Sequence, residues 1–298
     1  MLLHTFIKIT SFIVLCAFIK FLIKYIWSIL NNKSVWKKIE NKTVVVTGAL
    51  QEIGMEICRQ LSYEKIKLLM IDSDREKLEL LKRELEVRAE VSFYVVNFNQ
   101  TADNYNIYSF LEDHDIGFLI NAACSLDRGF ETFINRRDDS IINTNILSTT
   151  HITHRVITQM VQRKCGYIAF IGESSFDLPV PFCALYSASL AYLHQLASSL
   201  YYELSDYGIV CEYVRYGSIL KTRIDRKDGI CHNNTKKFVE SFLKTFGSSR
   251  EIIPRFYHML LHCIVFCIPQ TIIGHLFTEI FGKKELEREY LERKRKHK

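Results

Sequence analysis

A glycine-containing turn between a predicted strand and a predicted helix is the first feature of this sequence that could carry chemistry. The β-branched run Thr43–Thr47 leads directly into Gly48, and Gly54 follows six residues later, where a helical segment begins. Glycines in such a turn let the backbone approach a pyrophosphate closely at the positive end of a helix. The spacing therefore predicts a dinucleotide site, although a plain strand–helix turn would show the same pattern.

Alternating strands and helices must position this turn. The order favours an α/β fold: a Rossmann-like, doubly wound parallel sheet in a single domain with an N-terminal membrane helix. A chain of 298 residues with 48% hydrophobic content can bury one such core and still provide an anchor. The predicted strands are Thr43–Thr47, Lys67–Ile71, Val91–Val96, Ile116–Ile120, Tyr167–Ile171 and Ile209–Val214. The predicted helices are Met55–Ser62, Asp74–Val87, Asp138–Arg163 and Ala184–Asp206.

Residues 1–40 are predicted to form a membrane anchor followed by a basic linker. The segment from Ile9 to Leu30 is long enough to span a bilayer as a helix, and a helix lying in the membrane plane is the alternative. Lys33, Lys37 and Lys38 follow it, which by the positive-inside rule places the main domain, residues 41–250, in the cytosol.

Residues 251–298 are predicted to form an apolar, membrane-apposed segment with a basic tail. Histidines and a proline interrupt the apolar run 256–282, so we expect a membrane-apposed helix or a cap over a substrate site, with ordinary core packing as the alternative. The last five residues, Lys294 to Lys298, resemble a retrieval signal of endoplasmic reticulum membrane proteins, or else form a solvated basic tail. The net charge is +6, and the basic residues cluster after the N-terminal apolar run and at the C-terminal end, which favours a membrane surface over nucleic acid as the partner. The nine scattered cysteines form no metal or disulfide pattern, and no metal site is predicted.

Four segments in order make the chain resemble the short-chain dehydrogenases/reductases. They match the family's TGxxxGxG turn, its NNAG stretch, its helix asparagine and its YxxxK motif. The resemblance runs from about Lys42 onward and is strongest to the very-long-chain 3-oxoacyl-CoA reductase and 17-beta-hydroxysteroid dehydrogenase subgroup. The matching segments are Thr47 to Gly54, Ile120 to Ala123, Asn143 to Asn145 and Tyr186 to Leu190.

The resemblance implies an NAD or NADP site at the glycine turn. Asp72, at the end of the second strand, would hold the ribose hydroxyls and favours NAD, because the next residue is Ser73 and not arginine; a solvated turn near a helix N-cap is the alternative. Glu52 stands where the family has its middle glycine, and its charge puts dinucleotide binding in doubt. The cofactor-binding candidates are Thr47, Gly48, Ile53, Gly54, Asp72, Asn97 and Asn121.

The resemblance also assigns catalytic roles. Tyr186 is the predicted proton donor, and Asn145 is predicted to position a water. The family's lysine position, four residues after the tyrosine, is Leu190, and its serine position is Glu173, with Ser174 as a possible stand-in. Two other departures lie nearby, Ala122 and Cys124 in the NNAG-like stretch. His194 and Arg215 were weighed as substitute cations, with structural roles favoured for both.

These departures predict a family protein of fatty acyl or steroid metabolism with weak or lost hydride transfer. The alternatives are an active NAD(P)H-dependent reductase of 3-oxoacyl-CoA or 17-ketosteroid substrates, and a membrane interaction protein without a ligand. The predicted partners are membrane lipid, a lipophilic small molecule and a second copy of the chain, and the predicted location is the endoplasmic reticulum membrane.

Overall fold

The structure is a computed structural model. It describes residues 35–100, 105–125, 133–134, 139–173, 177–216, 235–254 and 268–279, together with 15, 16, 18, 19, 22, 23, 26 and 282. Most of the predicted anchor, the basic tail and Ser174 lie outside these residues. Within them, no helix has both the length and the apolar content needed to cross a bilayer.

Seven parallel strands form one sheet in the order β3-β2-β1-β4-β5-β6-β7. The order reverses between β1 and β4, so a crevice opens at the carboxyl ends of these two strands. β1, β4 and β5 are buried along their whole length, as continuous apolar runs require in a sheet covered on both faces. The strands are β1 Thr43–Thr47, β2 Lys67–Asp72, β3 Glu90–Val95, β4 Ile116–Asn121, β5 Gly166–Glu173, β6 Ile209–Tyr216 and β7 Glu251–Ile252. The predicted parallel sheet is confirmed.

Helices cover both faces of this sheet. The predicted helix starting at Asp74 is confirmed, and its spacing of Leu78, Leu81 and Leu85 buries all three. Three helices and one strand were not predicted from the sequence: Val35–Lys38, Tyr105–Glu112, Thr235–Thr245 and β7. The described helices are α1 Val35–Lys38, α2 Glu52–Leu61, α3 Arg75–Leu85, α4 Tyr105–Glu112, α5 Thr149–Gln162, α6 Ala184–Glu203, α7 Thr235–Thr245 and α8, residues 270–279.

The helix predicted over Asp138–Arg163 has two parts. A π-helical segment, Ile142–Ser148, precedes α5. The hydroxyl of Ser148 donates to the carbonyls of Asn143, at 2.8 Å, and Thr144, at 2.7 Å, which fits the wider turn. This widened segment carries Asn145, which is fully buried.

Candidate active site

The glycine turn has the close packing that its sequence predicts. Gly48 has a φ of 66°, and a Cβ atom there would lie 2.6 Å from the Cα of Ala123. A Cβ on Gly54 would lie 2.1 Å from the carbonyl oxygen of Gly48. The hydroxyl of Thr47 accepts the N–H of Ala123 at 3.3 Å and so joins the ends of β1 and β4. Only glycine fits at these two positions without moving the backbone.

A carboxylate lies at the N-terminus of α2. Glu52 is the first residue of this helix and is exposed. Its carboxylate accepts a hydrogen bond from the hydroxyl of Thr235, the first residue of α7. The positive end of the helix is therefore already faced by a negative charge of the protein itself, at the end where an anion would otherwise bind.

Asp72 ends β2 and supports the turn. One oxygen of its carboxylate accepts the N–H of Leu50 at 2.9 Å, and the other accepts the N–H of Ser73 at 2.7 Å. Asp74, and not Asp72, caps helix α3, by accepting the N–H of Lys77 at 3.1 Å. Asp72 is half-buried and holds the turn through these bonds.

A cavity of about 180 Å³ adjoins this aspartate, and we call it the Asp72 cavity. It unites three of the cofactor-binding candidates, Gly48, Asp72 and Asn97. The side-chain oxygen of Asn97 accepts the N–H of Asn99 at 3.1 Å. The lining residues are Gly48, Gln51, Asp72, Ser73, Val96, Asn97, Phe98, Asn99, Ala123, Cys124, Ser125 and Thr144.

Asn121 does not line the Asp72 cavity, nor the second cavity described below. It is buried at the end of β4, and its amide donates to the hydroxyl of Thr153 on α5 at 3.1 Å. Its side-chain oxygen has no hydrogen-bond partner in the described part of the chain. The prediction that Asn121 binds a cofactor therefore finds no support in its side-chain position.

A second cavity, of about 230 Å³, lies beside Tyr186, and we call it the Tyr186 cavity. It unites the tyrosine with Ile53 and with the two acidic departures from the family pattern, Glu52 and Glu173. Of its described lining residues, none carries a positive charge. The lining residues are Gln51, Glu52, Ile53, Ala122, Cys124, Ile171, Gly172, Glu173, Tyr186 and Tyr216.

The electrostatics of this cavity oppose ionisation of the phenol. Tyr186 is 4% exposed, and its hydroxyl accepts a hydrogen bond from the thiol of Cys124 at 3.6 Å. Burial first, and then Cys124 and Glu173, raise the pKa of Tyr186 well above its usual value of 10. Burial also raises the pKa of Glu173 to about 8, an effect that the Tyr186 hydroxyl partly offsets.

Leu190 occupies an apolar cluster and contributes nothing to the cavity. It is fully buried with Tyr186 and Val180, and neither cavity includes it among its lining residues. The position that carries the family's lysine is therefore packed against hydrocarbon. A lysine there would be desolvated, and its ammonium would need Glu173 or a ligand as a partner.

Asn145 is connected to the tyrosine's helix through Ser189. Its amide donates to the hydroxyl of Ser189 at 2.9 Å, and that hydroxyl donates to the main-chain oxygen of Tyr186 at 2.7 Å. The side-chain oxygen of Asn145 accepts the N–H of Ser125 at 2.7 Å. Sequence analysis missed Ser189, although its spacing of three residues from Tyr186 places both on one helix face.

The two candidate substitute cations, His194 and Arg215, lie next to carboxylates outside the two cavities. Arg215 is buried and forms ion pairs with Asp177 and Glu251. His194 Nε2 lies 3.6 Å from the carboxylate of Glu251. Neither side chain lines either cavity. The prediction of structural roles for both residues agrees with these contacts.

The described residues do not fit a dinucleotide along its whole length. The Asp72 cavity, together with the glycine turn beside it, fits a nucleoside, because the carboxylate of Asp72 and the close-packed backbone at Gly48 line this cavity. The pyrophosphate would meet the carboxylate of Glu52. The nicotinamide end would enter the Tyr186 cavity, which holds a second acidic group, Glu173, and no described cation. The anionic pyrophosphate therefore loses affinity at Glu52.

Comparisons with known proteins identify relatives of this chain. The pattern of the short chain dehydrogenase family matches residues 42–229, more than half of the chain. The chain is 30% identical over 255 residues to a very-long-chain 3-oxoacyl-CoA reductase of Neurospora crassa, covering 81% of this chain and 75% of that one. It is 26% identical over 256 residues to hydroxysteroid dehydrogenase-like protein 1 of Gallus gallus, covering 81% and 77%. An inactive hydroxysteroid dehydrogenase-like protein 1 of Pongo abelii is 29% identical over 205 residues, covering 67% and 62%.

Solved structures share the fold at lower identity. A 7beta-hydroxysteroid dehydrogenase structure superposes with a TM-score of 0.73 at 16% identity, covering 81% of this chain and 98% of that one. A short-chain dehydrogenase from Sphingobium yanoikuyae in complex with NADPH superposes with a TM-score of 0.66 at 23% identity, covering 78% and 95%. The chain therefore belongs to the short-chain dehydrogenase family, within the subgroup of very-long-chain 3-oxoacyl-CoA reductases and hydroxysteroid dehydrogenase-like proteins.

Proposed function

We propose that this chain is a membrane-anchored family member of fatty acyl or steroid metabolism in which hydride transfer is weak or lost. One observation carries the proposal: the Tyr186 cavity is lined by two carboxylates, Glu52 and Glu173, and by no described cation. In that metabolism the chain acts as a binding or regulatory protein with the fold of an enzyme family.

Release of the proton from the hydroxyl of Tyr186 is unfavourable in this cavity. A tyrosine that donates its proton to a substrate must pass toward the phenolate, which in water at neutral pH already costs about 4 kcal/mol. Burial raises that cost further, and so does the carboxyl of Glu173. Leu190, four residues on, offers no charge to offset it. A loss of about two orders of magnitude or more in rate is expected when one acid–base partner is missing.

The lipid assignment and the location extend from the relatives and from the sequence. Very-long-chain 3-oxoacyl-CoA reductases are among the most similar relatives, which supports a fatty acyl or steroid ligand class. The apolar segment before Lys33 supplies the anchor, and the C-terminal lysines suit the cytosolic face of the endoplasmic reticulum membrane. The partners proposed are membrane lipid, a lipophilic small molecule and a second copy of the chain.

The test is an activity measurement on the full chain in detergent micelles. NADH or NADPH is supplied with a long-chain 3-ketoacyl-CoA, and cofactor oxidation is followed. We expect a rate far below the 1 to about 1,000 s⁻¹ of ordinary enzymes. A rate within that range would refute the proposal.

A working reductase is the second candidate function. The hydrogen-bond chain from Asn145 through Ser189 to the main chain of Tyr186 favours it, because two catalytic candidates keep a direct structural connection. If activity is found, the Tyr186→Phe variant separates the two mechanisms. Activity that depends on Tyr186 must fall by about 100-fold or more, while an unchanged rate would exclude this tyrosine as the proton donor.

A further inference from the structure

The carboxyl group of Glu173 is an unusual component of the Tyr186 cavity. The residue ends β5, is only 7% exposed and lines the cavity. Its Oε2 atom is buried and has no hydrogen-bond partner in the described part of the chain. A buried polar oxygen without a partner costs free energy, which a ligand with a donor group would recover.

The groups that face Glu173 come from four elements, and none of them is basic. The thiol of Cys124 follows β4, the hydroxyl of Tyr186 lies on α6, and the hydroxyl of Tyr213 on β6 donates to the main-chain oxygen of Glu173 at 3.2 Å. Glu52 adds a second carboxylate to the lining from the start of α2. The nearest described cation on a paired strand, Arg215, is held by Asp177 and Glu251. The described lining of the cavity therefore offers acidic groups and no positive charge.

The remaining walls are apolar or aromatic. Ile53, Ala122 and Ile171 supply hydrocarbon, and the rings of Tyr186 and Tyr216 supply aromatic surface. Aromatic faces attract organic cations, and hydrocarbon walls favour a ligand with an apolar body. A volume of about 230 Å³ limits the bound part to a small group.

We propose that the Tyr186 cavity binds a small apolar amine, or the amine end of a larger lipophilic molecule, through an ion pair between its ammonium group and the carboxylate of Glu173. A neutral ketone or alcohol of the same size would form a hydrogen bond with the protonated carboxyl but no ion pair. The inference rests on the proposed function only in requiring that no nicotinamide fills the cavity.

Proton exchange follows from the environment of Glu173. Because burial raises the pKa of this carboxyl to about 8, it holds its proton at neutral pH when the cavity is empty. An incoming ammonium ion stabilises the carboxylate, so the carboxyl proton leaves to solvent and the ammonium keeps its own. Amine binding therefore releases about one proton below pH 8 and becomes tighter as the pH rises toward 8. A neutral hydrogen-bond acceptor would show the opposite trend, since it needs the protonated carboxyl.

The experiment is calorimetric titration of the full chain in detergent with benzylamine and with the isosteric benzyl alcohol. Titrations between about pH 6 and pH 9, in buffers of different ionisation enthalpy, count the protons released. The Glu173→Gln variant keeps the shape of the side chain without its charge. Glu240→Gln removes an exposed glutamate on α7 and serves as the matched control. Thermal melting of each variant checks that it is folded.

We expect benzylamine to bind more tightly than benzyl alcohol, with an affinity that rises toward pH 8. Glu173→Gln should weaken amine binding about tenfold or more, and Glu240→Gln should leave it unchanged. Equal binding of amine and alcohol, affinity that falls with rising pH, or unchanged binding by Glu173→Gln would overturn the inference. The rate measurement with NADH and a long-chain 3-ketoacyl-CoA separates the two proposals, because an ordinary enzymatic rate counts against the proposed function and absent amine binding counts against this inference.

Discussion

The two cavities at the carboxyl edge of the sheet differ in the residues they share with the family pattern. In the Asp72 cavity the matching residues also support the fold: Asp72 bonds the turn, and Gly48 and Gly54 allow its close packing. Beside Tyr186, the family's serine position is Glu173, which lines the Tyr186 cavity, and its lysine position is Leu190, which is buried in hydrocarbon and lines neither cavity. The difference teaches that a match to the family at one end of the crevice is no evidence for chemistry at the other.

The largest effect on the free energy of unfolding should come from removing Arg215, the buried cation that pairs with two carboxylates. Arg215→Met removes the partner of two carboxylates, Asp177 and the buried Glu251, and should lower the free energy of unfolding by about 3–5 kcal/mol. Urea unfolding measures the loss. The matched control is Arg155→Met, since Arg155 forms an exposed pair with Glu112 at 3.4 Å and should cost less than about 1 kcal/mol. A loss for Arg215→Met as small as the control's would contradict the engagement of Arg215 by these two carboxylates.

A second, pH-dependent effect should come from Glu173. Its pKa in the folded protein, about 8, exceeds the ordinary 4.5, so between these values the native state binds more protons than the unfolded state. Wild-type stability therefore falls as the pH rises through this window. Glu173→Gln removes that loss and should be more stable than wild type near pH 9 by a few kcal/mol, with the difference shrinking toward pH 5.

Glu240→Gln provides the control of opposite sign. The ammonium of Lys244 lowers the pKa of Glu240, so its small contribution is present above the ordinary carboxyl range and is lost as the pH falls. Denaturant unfolding across the pH range measures both variants. If Glu173→Gln and wild type kept a constant difference at every pH, the buried carboxyl would not be the titrating group.

The smallest effect concerns the glycine turn. Gly54→Ala places a Cβ atom 2.1 Å from the carbonyl oxygen of Gly48 and should cost about 1–3 kcal/mol, because backbone must move. Gly274→Ala is the control, since its new Cβ would meet only the side chain of Pro179, at 3.5 Å. In that helix alanine should be neutral or stabilising by up to about 1 kcal/mol. Thermal unfolding compares them, and equal midpoints would mean that the turn tolerates a side chain.

Much of the fold could be predicted because its strands are continuous apolar runs. β1 was predicted at its exact bounds, and the leucine spacing of α3 predicted its buried face. β7 escaped because two residues, Glu251 and Ile252, carry no periodic signal; only pairing with β6 defines them. The π-helical start of the helix before α5 depends on hydroxyl contacts that helical periodicity does not reveal.

The site was predictable in identity but not in geometry. Motif spacing named Tyr186, Glu173 and Glu52, and the structure brings all three to one cavity. The engagement of Arg215 depends on Asp177 and Glu251, which are distant in sequence, so no local pattern could reveal it. The burial of Asn121 against α5 was missed for the same reason, because a motif match assigns a residue type without the direction of its side chain.

Calorimetric titration with NADH tests the central claim most directly, with wild type compared to Glu52→Gly and Leu190→Lys. The account predicts that wild type binds more weakly than about 1 mM. It also predicts that removing the carboxylate of Glu52 at the start of α2 tightens binding by about tenfold, provided that melting shows the variants folded. Micromolar binding by wild type, unchanged in Glu52→Gly, would contradict it.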